Sequence, residues 1–178
     1  MFKPTKILPL FLSFFLLVNA CSSERTESAS EQSSDKNESG LTKAPDFEVT
    51  TIDGKKISLK QSMEENKPLV VYFTASWCPD CAKNWPAISE VYPEYKDKLN
   101  LVAIGVDPTD DEEVMRKLSE EKGFTFPITK GHPDIMVDFG VRSQATTVGI
   151  NRDGYIAFQK KAVLSAEEYR SLFDELVR

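Results

Sequence analysis

Trp77-Cys78-Pro79-Asp80-Cys81 is the stretch on which the reading of this chain turns. Ahead of it runs Leu69-Val70-Val71-Tyr72-Phe73-Thr74, the near-continuous apolar segment that a strand buried on both faces requires. Behind it the pattern is helical. Pro79 suits the first helical position, where a missing N–H costs nothing. That register puts Cys78 at the N-cap and Cys81 one turn in. Helix-start N–H groups and the macrodipole favour an anion, so a thiol there ionises below its free value of about 8.5. Two cysteines three apart at such a place can close and reopen a small disulfide ring, which is what thiol–disulfide exchange needs.

The W-C-P-D-C run after a buried strand resembles the active site of the thioredoxin superfamily. The competing reading is half of a zinc site. Structural zinc takes four ligands, and beyond this pair the sequence holds only Cys21 and His132 as further cysteine or histidine ligands. The redox reading is therefore preferred, with no metal and no cofactor expected.

Upstream, Lys3 and Lys6 precede the apolar run Ile7–Val18, which is short for a bilayer span and ends in Asn19-Ala20-Cys21. Residues 1–20 read as a secretory signal. Val18-Asn19-Ala20-Cys21 resembles a bacterial lipobox, which implies lipid attachment at Cys21. Ordinary cleavage, leaving a free thiol, is the plainer alternative. Residues 22–40 are Ser, Glu, Asp, Asn and Lys with little else, too polar to offset the entropy of ordering. The segment 21–40 is thus expected to be a tether, with an r.m.s. reach of roughly 25 Å. Loss of residues 1–20 removes two lysines and no acid, so the formal charge of −6 becomes −8. That balance argues against nucleic acid and against polybasic docking on lipid.

Residues 41–178 form the expected domain. Ala44–Phe47 and Thr51–Leu59 read as two short strands around an Asp53-Gly54 turn. Gln61–Lys67 reads as a polar connection. Pro86 and Pro93 interrupt the helix after the cysteines. Leu101–Val106 is a second apolar strand, followed by a loop over Asp107–Asp111. Glu112–Lys122 is a helix with Val114, Met115 and Leu118 on its core face. Thr146–Ile150 and Tyr155–Phe158 flank a turn at Asn151-Arg152-Asp153-Gly154. Ser165-Ala166-Glu167-Glu168 is a capping box opening a terminal helix that packs through Tyr169, Leu172, Phe173 and Leu176.

The N-terminal hairpin, the long segment between Asp107 and Gly140 and the T-T-x-x-I-N-R-D-G run resemble the extracytoplasmic ResA/TlpA-like branch (AhpC/TSA-redoxin-type) over roughly residues 41–178. The resemblance implies an α/β, thioredoxin-like fold: a central mixed sheet flanked by helices, with the β-hairpin as an N-terminal extension. It also implies a lipid-anchored protein-disulfide reductase on the outer face of a bacterial membrane. Its partners would be disulfide-bearing extracytoplasmic proteins and a membrane thiol electron donor, in a setting such as cytochrome c maturation. Cys78 and Cys81 would be catalytic, with Trp77, Pro79, Asp80, Ala145 and Thr146 tuning the pair or shaping the groove.

Three positions depart from the pattern. Ala145 stands where the family has a cis-proline; a cis bond before a non-proline costs about 2.5–4 kcal/mol, so a trans bond is expected. Tyr72 replaces the acid that thioredoxins keep in the strand before the motif. Asn84 replaces a ResA-type glutamate. Asp80 opposes ionisation of a nearby thiol, which favours a reductant over an oxidant. A peroxiredoxin is set aside because Ala75 and Val71 hold the places of its threonine and proline. The remaining alternative is a Sco-like copper module using the cysteines and His132, although the cysteine gap is wrong for it.

Overall fold

A computed structural model describes residue 36 and residues 39–178. The stretches expected to be a signal sequence, a lipobox with Cys21 and nearly all of a tether lie outside the described residues.

The organising element is β3 (Leu69–Thr74), whose six residues are all buried. It pairs in parallel with β4 (Asn100–Gly105), Leu69 opposite Asn100 and Thr74 opposite Gly105. On its other side it pairs antiparallel with β6 (Thr146–Ile150), Phe73 opposite Thr146. With β5 (Ile128–Gly131) and β7 (Ile156–Lys161) the sheet runs β5-β4-β3-β6-β7. It is the mixed, helix-flanked sheet expected. Burial on both faces is why β3 and β4 carry apolar residues at successive positions and not at alternate ones.

The hairpin is present, but its strands are β1 (Glu48–Thr50) and β2 (Lys56–Ser58), shorter than expected and displaced from Ala44–Phe47. The Asp53-Gly54 turn sits between them as expected, with Gly54 at φ 82°. The polar connection over Gln61–Lys67 needs correction, because Leu59–Glu64 is a helix, α1. Ser58 caps it by accepting from the Gln61 N–H, and Leu59 and Ser62 point inward.

Helix α2 (Pro79–Tyr95) runs unbroken across both Pro86 and Pro93, so neither proline ends it. Each interior proline costs a helix roughly 3 kcal/mol. Burial of Trp85, Ile88, Val91 and Tyr95 on one stripe, at about 1.5–3 kcal/mol per large apolar side chain, offsets that. Helix α3 (Glu112–Lys122) has the bounds expected, capped by Asp111 and closed by Gly123 at φ 65°. Of its expected core face, Met115 is fully buried and Leu118 packs partly, while Val114 is exposed. Helix α4 (Pro133–Asp138) follows β5. Helix α5 (Ala166–Val177) opens with the full capping box and buries Tyr169, Leu172, Phe173 and Leu176.

Candidate functional site

The buried strand β3 ends at Thr74, and four residues later the chain turns into α2. This places the cysteines at the carboxyl end of a central strand, where open α/β sheets gather their chemistry. Cys78 is the N-cap and Pro79 the first helical residue. Cys78 and Cys81 form a disulfide with their Cα atoms 5.2 Å apart. The Cys81 N–H donates to Cys78 Sγ at 3.1 Å. Cys78 retains 3% of its surface and Cys81 none. That amide and the start of α2 face Cys78 Sγ, an arrangement that suits an anion at this sulfur.

Two aspartates hold the approach to the motif. Asp110 is buried and accepts both the Ser76 N–H (2.8 Å) and the Ser76 hydroxyl (2.6 Å). Its own backbone carbonyl accepts from Gly131 N–H at 2.7 Å. A Cβ on Gly131 would collide with the Asp107 carbonyl, so glycine is what lets β5 close on this loop. Asp107 accepts from the Trp77 indole N–H at 2.7 Å and from the Thr109 backbone and hydroxyl. Those hydrogen bonds, Thr109's first, hold its carboxyl below its ordinary range. Trp77 stands 59% exposed, its ring tied at the nitrogen edge and otherwise open to solvent.

On the far side of the pair lies a neutral polar cluster. Asn84 is fully buried. Its Oδ1 accepts the Leu164 N–H at 2.8 Å and its Nδ2 donates to the Ala162 carbonyl at 2.9 Å. The side-chain amide thus pairs with that segment as a neighbouring strand would. Nδ2 also reaches Tyr72 Oη at 3.3 Å, so two of the three departures from the family pattern touch each other. Burial pushes the Tyr72 hydroxyl well above its ordinary pKa and keeps it neutral. Neither residue supplies the charge that an acid would have placed there.

The third departure is Ala145. The peptide bond before it is trans, as expected, but its φ is 60°, in the left-handed region that an alanine rarely takes. Its N–H donates to the Phe73 carbonyl at 2.8 Å. A small groove of about 110 Å³ opens here. It is lined by Cys78, Pro79 and Asp80 from the helix start, Ser143 to Ala145 from the loop before β6, and Lys161 from the end of β7. Asp80 is paired with Lys83 at 3.0 Å. Of the residues expected around the pair, Pro79, Asp80 and Ala145 line this groove. Trp77 and Thr146 are not among its lining residues; Thr146 is buried and its hydroxyl donates to the Ser143 carbonyl.

In the sequence Asn84 stands out only as a missing acid, Asp107 and Asp110 only as members of the loop after the second apolar strand, and Lys161 carries no signal. No local pattern marks them, since Asp110 reaches Ser76 from 34 residues away and Asn84 reaches Leu164 across 80. His132 caps α4 without a side-chain bond, its N–H donating to the Gly105 carbonyl, and burial lowers its pKa. Among the described residues no group of three or more His, Cys, Asp or Glu side chains is placed to hold a metal ion.

The fold and this site can be set beside known proteins. Thioredoxin-like protein YneN of Bacillus subtilis is 30% identical over 132 residues, 74% of this chain and 76% of that protein. Thiol-disulfide oxidoreductase ResA of Bacillus anthracis is 34% identical over 119 residues, 65% of this chain and 66% of its own length. Among solved structures, a thiol:disulfide interchange protein of the thioredoxin family from Chlorobium tepidum TLS superposes with a TM-score of 0.68. It is 22% identical and covers 78% of this chain and 97% of that one, a likeness of fold alone. The model of the AhpC/TSA family matches residues 41–163, well over half of the sequence and the whole of the motif, the groove and the Asn84 cluster up to Val163. On that extent of agreement, this chain belongs to the AhpC/TSA family.

Proposed function

We propose that this chain is an extracytoplasmic thiol–disulfide oxidoreductase that reduces disulfides in proteins, with Cys78 and Cys81 as its catalytic residues. The observation that carries the reading is the Cys78–Cys81 disulfide at the start of α2, with the Cys81 N–H on Cys78 Sγ. The names of YneN and ResA support it.

The exchange balances in two steps. The Cys78 thiolate attacks one sulfur of a substrate disulfide; a Cys78–substrate bond forms, and the other substrate sulfur leaves as a thiolate and takes a proton. The Cys81 thiolate then attacks Cys78 Sγ, closing the internal disulfide and releasing the second substrate thiol. Two electrons have passed to the substrate, and an external dithiol must return the pair to the reduced form. A membrane thiol donor is the natural source for a chain held at the bilayer.

The leader pattern, the lipobox-like Cys21 and the polar stretch to residue 40 support anchoring by acyl chains, palmitate among them, with the domain beginning near residue 41. Substrates near the membrane, such as apocytochrome c or other exported proteins, follow from that anchoring. Asp80 beside the pair, with no histidine between the cysteines, supports a reductant.

The decisive measurement is the reduction potential against glutathione. A value near the about −270 mV of thioredoxin is expected, and one near the about −120 mV of DsbA overturns the reductase direction. Cys78→Ser abolishes turnover. Cys81→Ser accumulates the mixed disulfide, from which the substrate is identified. Cys21→Ser moves the protein from the membrane to the soluble fraction; retention in the membrane overturns the lipid anchor.

A further inference from the structure

The groove at Cys78 holds a charge for which the fold provides no counter-ion. Lys161 is the last residue of β7, opposite Thr146, and lines the groove with Cys78. Among the described residues its ammonium makes neither an ion pair nor a hydrogen bond. The other charge in the groove, Asp80, is already engaged by Lys83. The remaining lining is uncharged, so Lys161 is the one charged side chain of the groove with no ion-pair partner among the described residues.

The position of that cation is built. The Ala162 N–H donates to the Ala145 carbonyl at 3.3 Å, on the β6 side. Asn84 takes the Ala162 carbonyl and the Leu164 N–H, holding the next residues against the start of α2. Lysines on an edge strand also discourage unwanted pairing. Lys160 is equally available for that, and the role does not call for Lys161 to line the groove. At about 110 Å³ the groove is well below the roughly 300 Å³ at which small-molecule sites begin, but it can admit one side chain.

The geometry points to Lys161 as a specificity residue that takes an aspartate or glutamate side chain lying within a few residues of the disulfide in the protein substrate. The inference rests on the oxidoreductase reading above and deepens it: the class of substrate is a disulfide in an acidic local sequence. The overall charge of −6 disfavours acidic partners at a distance, so this preference is local to the groove.

The test uses the reduced full chain and two peptides sharing one internal disulfide, flanked by glutamates in one and by lysines in the other. Attraction to one and repulsion of the other at a partly exposed site together give a kcat/KM ratio of about five- to tenfold in favour of the glutamate peptide. Lys161→Ala brings the ratio close to one, and Lys161→Glu inverts it. Lys161→Gln replaces the glutamate variant should that one fail to fold. Equal kcat/KM for the two peptides with the unaltered chain, or a ratio unmoved by the substitutions, overturns the role of Lys161 and leaves the oxidoreductase standing. If neither peptide is reduced, the oxidoreductase reading falls, and this one with it.

Discussion

The two ends of α2 are fastened to the rest of the molecule by opposite means. At its start, Asn84 is buried and neutral, with both ends of its amide spent on backbone groups of the β7–α5 connection. Trp85 Nε1 likewise donates inward to Thr74 Oγ1 at 3.0 Å. At its far end the helix is joined to α5 by surface charges. Arg170 reaches Glu94 at 2.7 Å and Glu90 at 3.0 Å, and the Tyr95 hydroxyl donates to Asp174 at 2.7 Å. Buried neutral hydrogen bonds fix position because breaking one strands a desolvated group. Exposed ion pairs exchange readily with water and salt. The end that carries the cysteines is the one held by the less forgiving kind of bond.

Asn84→Ala is the most damaging test of this contrast. It strands the Ala162 carbonyl and the Leu164 N–H, at about 1–3 kcal/mol for each buried unsatisfied group, read as a fall in the denaturation midpoint. Asp110→Ala ranks next. It leaves two Ser76 donors to find water, for a loss of about 2 kcal/mol, and it loosens the approach to Cys78. Ala145→Gly works in the other direction. Relief of a left-handed alanine raises stability by about 0.4–1 kcal/mol. Ala145→Pro, which restores the family's residue, is destabilising here: proline cannot take φ 60° and removes the N–H bonded to Phe73.

The acid titration of Asp107 is a smaller and purely local effect. Its folded carboxyl ionises below the ordinary value of about 3.9. The Trp77–Asp107 contact is therefore intact above that pH and is lost as pH falls through the lower folded value. The Trp77 indole N–H resonance follows that titration, and Asp107→Asn abolishes it. Arg170→Ala gives the smallest change, one that disappears in high salt. If it lowers the midpoint as much as Asn84→Ala, the contrast between the two ends is wrong.

Much of this was legible from short stretches. The bounds Glu112–Lys122 of α3 and the Ser165–Glu168 box that opens α5 are two such readings, because a cap and the groups it satisfies lie within one turn. The apolar run of β3 and the proline after Cys78 locate the redox pair for the same reason. Helix α1 is not legible in the sequence because six residues with two buried positions carry too little periodicity, and Ser58 signals a cap only where Leu59 is inside. Strand β5, four residues ending in Lys130 and Gly131, gives no strand pattern of its own; its parallel pairing with β4 makes it one. Pro86 and Pro93 read as breaks in the sequence because helix propensity alone takes no account of the burial that outweighs it.

Residue order alone determined where the cysteines stand, which strand supports them and that their helix begins at a proline, since each depends on neighbours within a turn or a strand. Only the tertiary structure decided what surrounds them: Asp110 on Ser76, Asn84 on Ala162 and Leu164, and Lys161 in the groove. Those contacts join residues 34 to 83 positions apart, and a buried polar group is satisfied by whichever part of the chain returns to it.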